Sequence, residues 1–167
     1  MPYTGSPPTF TTGQKTGVAA GLNDLRDFAR AFTDAWSAYT PTLTASTTNP
    51  TGWTATGYYM RAGKLVVCRF MLTAGAGVTA GSGQYRIALP ANSTTTQPYA
   101  LGAADLFDSS TGNGCTSAQV YISASTYATI RYTSAYPVGA AIVVGATAPW
   151  TWAASDTIWG QITYEAA

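Results

Sequence analysis

The run Gly57-Tyr58-Tyr59-Met60-Arg61-Ala62-Gly63-Lys64-Leu65-Val66-Val67 decides how the chain folds. Tyr58-Tyr59-Met60 and Leu65-Val66-Val67 are rich in aromatic and β-branched residues, which suit a pleated, half-buried surface. Between them Arg61-Ala62-Gly63-Lys64 holds the glycine of a short hairpin turn. The same run has five residues between its glycines and Leu65 where a phosphate-binding loop needs four and a Ser or Thr, so it is a turn and not a nucleotide cradle.

Outward from this hairpin the pattern repeats. After Thr40, short alternating runs of Thr, Val, Ile and Tyr are broken by Gly, Asn, Pro and Ser. Strands are predicted over 39–44, 56–60, 64–73, 85–89, 100–107, 118–123, 128–133 and 157–164, with 140–144 as a further one. Short strands at this spacing point to a mainly β chain folded as an antiparallel β-sandwich, jelly-roll-like. No fixed-period repeat is present, which argues against a solenoid or propeller. Gly75-Ala76-Gly77-Val78-Thr79-Ala80-Gly81-Ser82-Gly83 misses the dinucleotide spacing and reads as a flexible loop between strands.

Before the β region lies one helical pattern, predicted over 14–38. Its apolar residues Val18, Leu22, Leu25, Ala29, Phe32 and Trp36 alternate by four and three, the repeat of a coiled-coil seam. Charged and polar residues such as Asn23, Asp24, Arg26, Asp27, Arg30 and Asp34 fill the flanks. A lone helix of this length is marginal in water, so the seam must be buried, either on the chain's own sheet or against other copies. Phe28 widens the apolar face and favours three helices over two. Residues 1–13, with Pro2, Pro7 and Pro8, read as an extended arm in which Tyr3 and Phe10 are aromatic anchors for a neighbouring protein. The expected organisation is therefore an arm at 1–13, a helical trimerisation stalk at 14–38 and a β head at 39–167.

The composition narrows the partners. The chain has 167 residues, of which 46% are hydrophobic, enough for one core plus an appendage. Only 9% are charged, against about 25% in ordinary soluble domains, so the surface suits an assembly better than a dispersed monomer. A net charge of +1 with scattered arginines offers no stripe for phosphate neutralisation, so no nucleic-acid binding is expected. The start carries no basic, apolar leader, and no apolar run is long enough for a membrane helix. Of the two cysteines, Cys68 reads as a small buried thiol and Cys115 as a loop residue.

Histidine is absent, which removes Ser-His-Asp and Cys-His arrangements and the commonest zinc ligand. Two carboxylate pairs remain for glycosidase chemistry, Asp105 with Asp108 and Asp156 with Glu165, although both read more simply as strand-end and turn residues. Asn92-Ser93-Thr94 and Lys15-Thr16-Gly17 match motif letters without the context that gives those motifs meaning. No catalytic, metal-binding or cofactor-binding residue is expected, and no cofactor. Among the aromatics, Trp53 and Tyr58 are the expected contacts for a glycan, Trp53 being the more loop-like, with core filling and trimer contacts as the alternative account.

Several stretches together resemble small modules at the ends of tail and fibre proteins of tailed phages, especially phages of actinobacteria. They are Phe10-Thr11-Thr12-Gly13, Leu22-Asn23-Asp24-Leu25-Arg26-Asp27, Trp36-Ser37-Ala38-Tyr39-Thr40-Pro41-Thr42-Leu43-Thr44-Ala45-Ser46 and Tyr85-Arg86-Ile87-Ala88-Leu89-Pro90. Gly63-Lys64-Leu65-Val66-Val67, Pro149-Trp150-Thr151-Trp152-Ala153-Ala154-Ser155-Asp156 and Thr163-Tyr164-Glu165-Ala166-Ala167 complete the likeness, which spans nearly the whole chain. The resemblance implies a phage structural module without choosing its place on the particle.

The expected function is that of a trimeric head fibre or capsid decoration protein, assembled in the host cytoplasm and projecting its β head from the virion. Tyr3, Pro7, Pro8 and Phe10 would attach it to a capsid or tail protein. Val18, Leu22, Leu25, Ala29, Phe32 and Trp36 would form the trimer interface. The alternative is a minor tail or tail-fibre protein that recognises a host surface glycan.

Overall fold

The computed structural model describes residues 18–30, 36–94, 97–111, 114–133 and 141–167. These form one helix, α1 (Val18–Arg30), and ten strands: β1 (Ser37–Tyr39), β2 (Leu43–Ala45), β3 (Thr51–Ala62), β4 (Leu65–Thr79), β5 (Tyr85–Ala88), β6 (Gln97–Asp108), β7 (Gly114–Ala124), β8 (Tyr127–Thr133), β9 (Ala141–Val143) and β10 (Thr157–Glu165). A 3-10 turn, Ser109–Thr111, follows β6. The chain is mainly β, and every strand pairing is antiparallel.

The 57–67 run forms its hairpin between β3 and β4. Ala62 pairs with Leu65, so the loop is only Gly63-Lys64, with Gly63 at φ 59°. That left-handed conformation is the reason a glycine stands there. Arg61 Nε donates to the Gly63 carbonyl at 2.8 Å and holds the turn shut.

Period-two alternation then sorts the side chains. Along β4, Val66, Cys68, Phe70, Leu72 and Ala74 are buried while Leu65, Arg69 and Met71 are exposed. Leu106 of β6, Val120 and Ile122 of β7, Ile130 of β8 and Ile158 and Ile162 of β10 join them in one core. Each fully buried Val, Leu or Ile contributes about 1.5–3 kcal/mol relative to exposure. The Cys68 thiol is fully buried, and that burial pushes it up to about 11, so it stays protonated near neutral pH and serves as an inert core group.

The sheet order is β1-β3-β4-β10-β6-β7-β8-β5-β2, with β9 paired to β8. β1 and β2 end this path, yet only Thr40-Pro41-Thr42 separate Tyr39 from Leu43. Four steps along the chain reach about 15 Å at most. A flat sheet of nine strands spaced about 4.8 Å apart would hold its edges about 38 Å apart. The sheet therefore curls until its two ends meet around the core. Side chains close the seam: the Trp53 ring of β3 lies 6.1 Å from Tyr85 of β5, and both meet Trp152, at 5.4 Å and 6.1 Å between ring centroids.

Several sequence expectations need correction. The stretch 39–44 is not one strand but two, at opposite ends of the sheet, because Pro41 interrupts it. The predicted helix does not run to Ala38: Ser37, Ala38 and Tyr39 pair with Tyr59, Tyr58 and Gly57. The Tyr39 ring fills the space a Cβ at position 57 would need, so Gly57 admits this edge strand. Residues 14–17 and 31–35 of the predicted helix, and the whole arm 1–13, lie outside the described residues.

The glycine-rich run is also not a loop in its first half, since β4 continues to Thr79. It passes a bulge at Gly52, where φ is 76° and an added Cβ would lie 2.7 Å from the Gly77 carbonyl. Gly75 likewise serves close backbone approach, since its added Cβ would lie 2.8 Å from the Gly52 carbonyl, a use that composition alone reads as flexibility.

A buried carboxylate organises the crossover into β10. Asp156 is fully buried and accepts four hydrogen bonds: Ser109 N at 2.9 Å and Ser109 Oγ at 3.0 Å on Oδ1, Ala153 N at 2.9 Å and Trp150 Nε1 at 3.2 Å on Oδ2. It ties the end of β6 to the turn before β10. Asp156→Ala would leave those donors unpaired, and each charge-assisted bond is worth about 1.5–3 kcal/mol. The expected loss is about 3 kcal/mol or more in urea unfolding at constant m-value; a loss below about 1 kcal/mol would show that solvent replaces the carboxylate.

Candidate functional site

The outward side of β3, β4, β10 and β6 is where exposed apolar and polar side chains gather. Cross-strand register builds two neighbouring rows on it. Thr56 faces Met71, Met71 faces Trp159, Trp159 faces Asp105, and Asp105 faces Ser117 of β7. In the next row Tyr58 faces Arg69, Arg69 faces Gln161, and Gln161 faces Ala103.

Between the rows runs an open groove of about 370 Å³, lined by Arg69, Met71, Trp159, Gln161, Asp105 and Ala103 among others. Small side chains make its depth: Thr56 and Ala103 flank the long ones, and Gly160 lets the Phe70 ring pack inward beneath β10. Trp159 is 48% exposed and Met71 42%. The Arg69 guanidinium lies over two aromatic rings, 4.9 Å from the Trp36 centroid and 5.3 Å from that of Tyr58. Asp105 accepts from Ser117 Oγ at 3.3 Å.

Of the residues expected to contact a glycan, Tyr58 stands on this face, 43% exposed. Trp53 is not a loop residue: it sits in β3, half-buried against Tyr85 and Trp152, and its indole Nε1 is buried without a partner among the described residues. Trp159 is the aromatic that sequence inspection passed over. Its signal was nevertheless present, since in Ile158-Trp159-Gly160-Gln161-Ile162 the two isoleucines share one face and alternation sends Trp159 and Gln161 to the other.

The expected trimer residues divide. Val18 opens α1; Leu22, Leu25 and Ala29 lie along it and are exposed, Leu22 at 54% and Leu25 at 45%. Phe32 lies outside the described residues. Trp36 is not on the helix, and its ring packs over Arg69 on the sheet. The attachment residues Tyr3, Pro7, Pro8 and Phe10 also lie outside the described residues.

Neither carboxylate pair is brought together. Asp105 and Asp108 are three apart on one strand, which places them on opposite faces, and Asp108 instead accepts from Ser110 N and Oγ at 2.9 Å and 2.6 Å. Asp156 and Glu165 stand at opposite ends of β10, about 30 Å apart along an extended strand. Glu165 pairs with Lys64 at 3.1 Å on the surface. Both cysteines are free thiols. Among the described residues no three His, Cys, Asp or Glu side chains cluster to hold a metal, and no helix is long and apolar enough to cross a membrane.

Comparison of the chain with protein-family models, with curated proteins and with solved structures finds no match.

Proposed function

We propose that this chain is a structural protein of a tailed-phage virion, a trimeric head fibre or capsid decoration protein that projects a β head from the particle. The observation that carries the reading is the exposed apolar stripe of α1. Leu22, Leu25 and Ala29 face solvent on a helix of 13 residues joined to a well-packed β region, and a helix this short gains little stability alone. Three copies packed along that stripe would bury it as a short coiled-coil stalk. In the head, the two halves of the curled sheet act as the layers of a jelly-roll-like sandwich.

The resemblance to phage tail and fibre modules and the low charge of the chain support the same reading. Residues 1–13 then serve as the arm that grips a capsid or tail protein, and trimerisation multiplies weak contacts through effective concentration. A second reading, a tail or tail-fibre protein that recognises a host surface glycan, is favoured by the open groove around Trp159.

Light scattering on the purified chain is expected to return a three-chain mass, collapsing toward one chain in the Leu22→Asp, Leu25→Asp variant; a monomeric wild type would overturn the stalk. On the particle, decoration predicts many copies on heads that lack tails. A few copies that fractionate only with tails would favour the receptor-binding reading.

A further inference from the structure

We propose that the groove across β3, β4, β10 and β6 is a binding site for a neutral oligosaccharide, with Trp159 as the stacking platform and Arg69, Gln161 and Asp105 as the hydroxyl-binding groups. The inference deepens the host-surface reading by naming its ligand, and rests on that reading for its biological meaning. It is independent of the helix and of the trimer.

The groove's chemistry suits a neutral, hydroxylated ligand. A sugar ring presents an apolar C–H face and a rim of hydroxyls, so it needs an accessible aromatic plane beside donors and acceptors. Trp159 offers the plane, nearly half exposed in the middle of its row, with Met71 extending the apolar surface on one side. Asp105 lies directly across from it on the other side as an acceptor, and Gln161 is two residues along the same strand, on the same face. The Gln161 amide makes no hydrogen bond to any described residue, so it brings both a donor and an acceptor to the groove.

Arg69 forms no ion pair within the described residues and has its guanidinium fixed by the rings of Trp36 and Tyr58. Its N–H donors are pre-positioned, which lowers the ordering cost of binding. Arg69 and Asp105 balance each other in charge, which favours a neutral hydroxylated ligand over an anion or a cation. One arginine in a chain of net charge +1 is too little for a nucleic-acid backbone, although the ring would stack a base. The volume of about 370 Å³ falls within the range of small-ligand sites, and the groove is open along its length, which admits a chain of sugars rather than a single enclosed one.

The test is isothermal titration calorimetry of the full chain with a panel of short neutral oligosaccharides of gluco-, galacto-, manno- and arabino-configuration at millimolar concentration. At least one series is expected to bind, with affinity weakened about tenfold or more by Trp159→Ala and measurably by Asp105→Asn and Gln161→Ala. Trp159→Phe should retain part of the binding, which separates stacking from loss of fold. The Leu22→Asp, Leu25→Asp variant should bind with unchanged affinity per chain whatever its mass, so failure of the stalk and failure of the groove are read separately. Absence of binding across the whole panel, or binding indifferent to Trp159→Ala, would overturn the proposal. So would a Trp159→Ala protein of lower solution mass than wild type, because the face would then be a contact between copies.

Discussion

Everything in this molecule depends on a short tether. Thr40-Pro41-Thr42 join strands at the two ends of the sheet path, and three residues cannot span a flat sheet of that width. Curling follows, and with it a single inside. The aromatic seam of Trp53, Tyr85 and Trp152 is the packing consequence: rings from β3, from β5 and from the segment before β10 fill the space where the two ends converge. Two of the three polar tips on this seam find partners, as Tyr85 donates to the Ala80 carbonyl and Trp152 to the Gly145 carbonyl, each at 2.8 Å, while the Trp53 Nε1 has none among the described residues.

The C-terminal strand completes the enclosure. β10 inserts between β4 and β6, so the middle of the sheet is built from segments far apart in the sequence. Asp156 fixes the entry of that strand by gathering donors from Ser109, Trp150 and Ala153 around a buried carboxylate. At its other end Tyr164 donates to the Ala91 carbonyl at 2.7 Å, and Ala166 bridges to Ser93. A strand held at both ends presents its outward residues with little freedom, and a rigid scaffold of that kind is what a binding surface needs.

The two faces of the sheet thereby divide the work. Inward residues carry stability through the hydrophobic effect, and the outward residues of four strands line an open groove. The helix stands apart from this division: its exposed Leu22 and Leu25 contribute nothing to the core and are the surface on which the proposed assembly rests. The low charge of the chain accords with the proposed assembly, because a surface covered by partners does not rely on charge for dispersion.

Local periodicity made much of this legible. The 57–67 run determined its own hairpin, because Gly63 and the flanking β-formers act within a few residues of each other. The alternation of β4 and β10 likewise determined which side chains are buried, and hence that Trp159 and Gln161 face outward. The spacing of Leu22, Leu25 and Ala29 marked an amphipathic helix, and the lack of histidine excluded whole classes of chemistry. Other features depend on residues far apart in sequence, which no local pattern encodes. Only the tertiary structure decided that 39–44 splits between opposite ends of the sheet, that Ser37–Tyr39 leave the helix to pair beside Gly57, and that Gly52 and Gly75 let two strands approach at a bulge. It alone brought Arg69, Trp159 and Asp105, from three strands, onto one groove: strand register is set by the global packing of the core, and register determines which side chains become neighbours.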